Sequence, residues 1–299
     1  LPGGAGDRGR CDGGDAMNAP DKILLGEVRD LPAEVYHSIH AMSAGGLKRM
    51  KQSPAHFYGL QLDPNRPEPG EPTPALKNGT MVHCAIFEPA SFHDRYVVRP
   101  DGLDMRTKEG KAWAATVAGM EIITAEQMNA AKGQREALLA LPEIASLLAD
   151  GVGESSAFWI DETTGELCKC RPDWVSPAGD GVVIVDGKTC VDASPEGFSK
   201  AIWNFAYHLQ AAWYADGYEK ATGKTVHGFV FAAVESAWPH AAAAYMLGDD
   251  VLDRARAENR RLLNLYAECK RTGVWPGYGS QISLINLPRW ARFTEEATA

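Results

Sequence analysis

The sequence predicts an α/β fold in which a central mixed β-sheet is flanked by helices. Three observations predict it. The pattern runs from a helical front, through a centre of alternating strand-like runs, to a helical end, with no internal repeat. The 299 residues, 45% hydrophobic and 23% charged, are ordinary globular material able to bury a core. No run of about 18 apolar residues occurs, so no transmembrane helix is expected.

Residues 1–20 begin LPGGAGDRGRCDGGDA, rich in Gly and Asp and without periodicity. They read as a disordered or non-native extension with Met17 as a start, and residues 21–299 as a single domain. A short lead-in over 20–40 carries Leu31, Val35, Tyr36 and Ile39. Ser43 caps an amphipathic helix with Leu47 and Met50 on one side and Lys48, Arg49 and Lys51 on the other, and Ser53-Pro54 ends it. A Pro-rich loop over 61–75 precedes a helix, ALKNGTMVHCAIFEP, that carries His83. Residues 104–150 are Ala-rich and helical, with breaks near Gly119 and Pro142.

The character changes at 154. Residues 154–161 alternate as a strand, Thr163-Thr164-Gly165 makes a turn, and 166–174 returns as the partner strand. After a turn at SPAGDG, residues 182–189 form a third strand. Ser194-Pro195-Glu196 opens one long helix to about Ala221, by a cap, a Pro at the first helical position and an acidic first turn. Strands follow over 225–235 and 240–247, then a last helix over about 249–272. Of six cysteines none form a CxxC pair, and no signal-peptide pattern opens the chain, so reduced thiols and a cytoplasmic setting are expected. Cys168 and Cys170 read as small buried side chains on one strand face.

The chemistry concentrates in RPDWVSPAGDGVVIVDGKT. Side chains alternate along a strand, so Lys169, Arg171 and Asp173 share one face, and Ile184, Asp186 and Lys188 share another. Pairing the strands brings Asp173, Asp186 and Lys188 together. Two carboxylates and a lysine suit phosphodiester hydrolysis: hard oxygen donors match a Mg²⁺-type cation, which polarises phosphate and activates water. The lysine positions or deprotonates that water, or neutralises the developing phosphorane charge. Glu154 can add a carboxylate. His83 lies among apolar neighbours and becomes a ligand if its helix crosses the sheet near Asp173. On the helix after the third strand, Trp203, Tyr207, Gln210 and Tyr214 form one stripe. Phe198, Ile202, Phe205, Leu209 and Ala212 form a second that packs on the sheet.

The combination of GTMVH, RPDW, VDGKT and Q-x-x-x-Y at Gln210 and Tyr214 resembles the PD-(D/E)xK nucleases of the RecB and RecE type. More narrowly it resembles the phage and prophage RecE-type (exonuclease VIII) nuclease domain over about residues 40–290. The resemblance implies a restriction-endonuclease-like core. It implies metal ligation by His83, Asp173, Asp186 and the Gly187 carbonyl, with Lys188 as the catalytic lysine. Gln210 and Tyr214 would support the site, with Glu154 as a looser helper acid. Ser43 and Lys48 would approach the DNA end, beside Lys169 and Arg171 on the DNA. It implies Mg²⁺-dependent 5′–3′ degradation of linear double-stranded DNA, with Mn²⁺ able to substitute, to leave 3′ single strands. It also implies a homo-oligomeric ring, trimer or tetramer, in a bacterial host, with a single-strand annealing recombinase as partner and no membrane. The third strand carries Asp186 where many members carry Glu. An iron–sulfur cluster is not expected, because Cys269 stands alone near the C-terminus.

The charge tests this reading. Lys plus Arg number 30 against 39 Asp plus Glu, a formal net charge of −9, and phosphate attraction needs cations. The sum averages over surfaces, however. Asp7, Asp12, Asp15, Asp21, Glu27 and Asp30 fall before the expected core, and bound cations neutralise site acids. Basic residues gather at Lys48–Lys51, at Lys169 and Arg171, and at Arg254, Arg256, Arg260 and Arg261. The expectation is an acidic exterior with Lys48, Lys169 and Arg171 facing Asp173 in a basic channel.

Overall fold

The computed structural model describes residues 25–68, 70–279 and 281–286. The extension expected at 1–20 lies outside them. Strand β1 (Gly26–Val28) leads into α1 (Ala33–Ser38), α2 (Ala44–Gln52), α3 (Pro54–Phe57) and a π-helical turn at Tyr58–Leu62. Then come α4 (Pro74–Phe87), α5 (Pro89–Arg95), β2 (Tyr96–Val98), α6 (Lys108–Thr116), β3 (Glu121–Ile123), α7 (Ala125–Leu139) and α8 (Pro142–Ala149). The strand-rich centre holds β4 (Val152–Gly153), β5 (Ser156–Ile160), β6 (Leu167–Cys170), β7 (Trp174–Ala178) and β8 (Gly181–Cys190). The chain closes with α9 (Pro195–Asn204), α10 (Tyr207–Thr222), β9 (Val226–Glu235), β10 (Ala242–Met246) and α11 (Asp249–Thr272).

Local chemistry sets the helix starts. The side-chain oxygens of Ser43, Thr73 and Ser194 accept from the amides of Gly46, Leu76 and Gly197, which the first turns of α2, α4 and α9 leave unpaired. Thr124 and Gln127 form a reciprocal capping box at α7. Gly273, at φ +73°, ends α11.

A mixed five-stranded sheet runs in the order β10-β9-β8-β7-β4, with β8 and β9 parallel and the other pairs antiparallel. A three-stranded antiparallel sheet, β1-β5-β6, stands beside it. The large sheet is covered on both faces. Ile184 of β8 packs into a core with Leu47, Leu209 and Leu262 of α2, α10 and α11. Its neighbour Val185 packs the other way, with Val82, Leu138 and Ile144 of α4, α7 and α8. Cys168 and Cys170 are fully buried in the first core, as expected.

Four sequence expectations are corrected. Residues 166–174 are not one strand: β6 ends at Cys170 in the small sheet and β7 begins at Trp174 in the large one. Three residues of SPAGDG, Ser176–Ala178, belong to β7, so the turn shrinks to Gly179 and Asp180. The long helix from 195 breaks between α9 and α10 at Phe205-Ala206, where Ala206 takes φ +51°. Phe205 therefore points outward rather than onto the sheet. Glu27, set aside as lying before the core, is part of it. Its Oε1 accepts from Ser155 Oγ (2.8 Å) and Tyr218 Oη (3.0 Å).

Candidate active site

The site forms where the chain passes between the two sheets. It does so twice: at Glu154, between β4 and β5, and at Arg171–Asp173, between β6 and β7. Glu154 holds a left-handed backbone, φ +52°, uncommon for a residue with a side chain and frequent at functional bends. Its amide donates to the Asp173 carbonyl (3.1 Å), so the two crossings are tied together.

Helix α4 supplies His83 because β8 has a glycine at 187. A Cβ there would lie 2.5 Å from a ring carbon of Phe87, so only glycine lets α4 approach so closely. His83 Nε2 then sits 3.1 Å from Asp173 Oδ2 and 3.5 Å from Glu154 Oε1. One donor atom from each of His83, Glu154 and Asp173 lies within 4.8 Å of the others. The Gly187 amide donates to Asp173 Oδ2 (2.8 Å), and Arg171 Nε holds Glu154 Oε2 at 2.9 Å.

The second half stands on β8. With Trp174 paired to Val185, the register carries Asp173 toward Asp186. Asp186 is fully buried; its Oδ2 pairs with Lys188 Nζ, and its Oδ1 accepts from Gln210 Nε2 (2.7 Å). Gln210 Oε1 in turn accepts from Lys48 Nζ (3.0 Å), a relay from α2 through α10 to β8. The Tyr207 ring faces two ammonium groups, Lys48 at 5.1 Å and Lys188 at 5.0 Å. A cleft of about 870 Å³ opens over His83, Glu154, Arg171, Gly187, Lys188 and Tyr207.

The electrostatics follow from burial and crowding. Burial raises the Glu154 carboxyl, and with Asp173 nearby it reaches about 7 despite His83. Burial likewise pushes Asp186 upward, against the pull of Lys188. Burial disfavours charge on His83, but the Asp173 carboxylate outweighs it and lifts the imidazole to about 9. Burial raises the Asp173 carboxyl too, and there the His83 charge wins and holds it low. Lys188, buried beside Asp186 and Asp173, is held as an ammonium. Lys48 is lowered to about 8, by burial and then by Lys188. Protonated His83 thus does a cation's work between two acids. One imidazole nitrogen and two clustered carboxylates, with Asp186 across from them, fit a Mg²⁺- or Mn²⁺-type ion, whose arrival would displace the His83 proton.

The expected site residues are placed as follows. His83, Asp173 and Glu154 converge; Asp186, Lys188 and Gln210 form the adjoining group. Glu154, expected as a loose helper opening a strand, is instead a bend residue inside the donor cluster. Asp186 is engaged by Lys188 and Gln210. The Gly187 carbonyl accepts from Lys188 Nζ (3.4 Å). Tyr214 is half-buried with its ring edge on Phe229, and burial raises its phenol well above the usual value. The Ser43 hydroxyl is the cap of α2. Lys48 does face the site, but Lys169 does not. Lys169 is 5% exposed, and its ammonium donates to the Tyr36 and Ile39 carbonyls at the end of α1 (2.7 and 2.8 Å). Arg171 turns to Glu154 and the Leu31 carbonyl (2.6 Å). On α11, Arg256, Arg260 and Arg261 are ion-paired to Asp216, Asp161 and Glu258, so they do not make a free basic strip. Two cleft residues escaped the sequence reading: Tyr207, taken only as part of a stripe, and Arg95, forked onto Glu88 at 2.9 and 2.5 Å.

Residues 43–288 match the family described as PDDEXK-like domain of unknown function (DUF3799). The chain belongs to that family. The match spans the helices and strands that carry His83, Glu154, Asp173, Asp186, Lys188 and Gln210 in this DUF3799 domain, and the restriction-endonuclease-like core expected from the sequence is the fold observed. A protein from Eubacterium rectale, assigned only provisionally as an exonuclease, has a crystal structure similar to it. The TM-score is 0.57 at 17% identity, covering 87% of this chain and 96% of that one. At that identity the likeness concerns the fold. The structure of SSO0001 matches at a TM-score of 0.26 and 11% identity, over 61% of this chain and 85% of that one, too low to carry an argument. A comparison with curated proteins finds no match. No helix among the described residues is long and apolar enough to cross a membrane.

Proposed function

We propose that the chain is a divalent-metal-dependent exonuclease of the PD-(D/E)xK type acting on linear double-stranded DNA. One observation carries the reading: an ammonium, Lys188, paired to a buried Asp186 beside the His83–Glu154–Asp173 donor cluster, with His83, Glu154 and Lys188 lining one open cleft. His83, Glu154 and Asp173 would hold a Mg²⁺ or Mn²⁺ ion, with Asp186 and the Gly187 carbonyl adjacent. When bound, the ion supplies Lewis-acid polarisation of phosphate and a more acidic water.

The chain's own groups do the rest. In hydrolysis the water oxygen adds to phosphorus and releases a proton to solvent, the P–O3′ bond breaks, and the leaving O3′ takes up a proton from solvent. Lys188, held cationic by its two acids, neutralises charge growing on the phosphorane rather than acting as a base. Gln210 fixes the rotamer of Asp186, and Arg171 holds Glu154 against the cluster.

The finer reading rests on the motif resemblance: RecE-type 5′–3′ digestion leaving 3′ single strands for annealing recombination, a trimeric or tetrameric ring, a single-strand annealing partner and a bacterial cytoplasm. The test is one gel. Linear duplex labelled at its 5′ end and closed circular plasmid are each incubated with Mg²⁺ or EDTA, using wild type, Asp186→Ala and Lys188→Ala. Mg²⁺-dependent loss of linear duplex alone, absent in both variants, is expected. Cutting of closed circles would make the protein an endonuclease instead, and intact linear duplex in Mg²⁺ would overturn the proposal.

A further inference from the structure

Trp203, in the last turn of α9, and Phe205, at the break before α10, are 69% and 60% exposed. A continuous helix would have turned Phe205 inward while Trp203 stood outward; with the chain breaking at the left-handed Ala206, both rings lie on the surface. The Trp203 ring stacks on His208 (5.5 Å, 7° between planes), with Lys51 Nζ 5.0 Å above it. The Phe205 ring lies 5.6 Å from Tyr207, the same ring that faces Lys48 and Lys188. Aromatic faces and ammonium groups therefore run together from solvent to Lys188. Phe205 also lines a second cleft, of about 860 Å³, with Lys200 and Asn204. That cleft meets the first at Thr189 and Tyr207.

Resting on the nuclease reading, we propose that Trp203 and Phe205 form a stacking platform for unpaired bases of a DNA strand, whose phosphates pass over Lys51 and Lys48 toward the cleft. Within a duplex each base face is covered by its neighbours, so exposed aromatic rings select unpaired bases, which can extend the Trp203–His208 stack or displace Lys51 from the ring. Lys51 over Trp203, and Lys48 over the Tyr207 ring next to Phe205, select a polyanion over an apolar partner. The substrate this surface fits is a single-stranded or frayed end.

The test is fluorescence anisotropy of a labelled oligothymidylate and of a blunt duplex, both in EDTA so that nothing is cut. Wild type is compared with Trp203→Ala, Phe205→Ala, their combination, and Trp203→Phe. Each alanine variant should weaken oligothymidylate binding roughly tenfold, with Trp203→Phe retaining most of it and duplex binding nearly unchanged. Both rings are exposed, so the variants should melt like wild type. Equal oligothymidylate affinity in wild type and the double variant would overturn the platform. So would a loss accompanied by a changed sedimentation coefficient, since the rings would then lie between copies of the chain. The two readings fail separately. A wild type that binds through Trp203 but cuts no DNA in Mg²⁺ loses the nuclease and keeps the platform. A wild type that degrades linear DNA while the double variant binds as tightly does the reverse.

Discussion

Asp161 and Glu154 are acids in buried surroundings less than ten residues apart, and their environments are opposite. Asp161, 1% exposed, is matched donor for acceptor. The Arg260 guanidinium forks onto both oxygens (2.7 and 2.8 Å), and Thr164 adds its amide and hydroxyl (3.0 and 2.8 Å). The Arg260 pairing leads in drawing its carboxyl down to about 2. Glu154 shares its surroundings with Asp173 and Glu88, and burial leads in pushing it up to about 7. The first arrangement is complete as it stands. The second is balanced only while His83 carries its proton: Glu154, Asp173 and Asp186 face Arg171, Lys188 and the His83 imidazolium, a charge that an arriving cation would take over. Burial alone does not separate the two; the balance of donors does.

The sharpest way to break this contrast is to remove the lysine. Lys188→Ala should lower the rate of Mg²⁺-dependent DNA degradation by about 10²–10⁴-fold in a timed gel assay, with the circular dichroism spectrum retained. Metal should act only on the crowded cluster. Mn²⁺ at a hundred times its dissociation constant should stabilise the wild type by about 2.7 kcal/mol in thermal melts. Glu154→Gln should reduce that gain without destabilising the metal-free protein. Arg171→Ala, which frees Glu154 to turn away, should weaken Mn²⁺ binding about 10- to 100-fold by titration calorimetry. Asp161→Asn should do the opposite of Glu154→Gln: a loss of about 1–3 kcal/mol in urea unfolding, tempered by the 37% exposure of Arg260, with Mn²⁺ binding intact. The smallest effect is on pH. Because the folded Asp161 carboxyl is lowered, its stabilisation is present above the unfolded value near 4 and is lost as pH falls toward 2. The acid limb of a stability–pH curve should therefore flatten in Asp161→Asn.

Most of this site could be read from residues in order. Alternation along VVIVDGKT gave the shared face of Asp186 and Lys188, and α11 lies where its pattern predicts. The misreadings have physical causes. Leu167–Cys170 and Trp174–Ala178 both have strand composition, and nothing local says that they belong to different sheets. The α9–α10 break carries no Gly or Pro, so the hydrophobic period runs through it unmarked. The left-handed turn at Glu154 is equally silent. Lys169 looked available because periodicity cannot see the unpaired carbonyls at the end of α1 that bury its charge. Of Lys48, Lys169 and Arg171, expected to face Asp173 as a basic lining, Lys169 is engaged by those carbonyls and Arg171 by Glu154 and the Leu31 carbonyl, which leaves Lys48 beside Lys188.

Because two of the clustered donors stand on the crossings between sheets and the third on α4, a bound cation is also a mechanical part. It would rivet a helix to both seams, joining segments 71 and 19 residues apart in the chain, from 83 to 154 and from 154 to 173. Amide exchange at Gly153–Ser155 and Arg171–Trp174 should then slow together when the ion binds, as the joint between the sheets stops breathing.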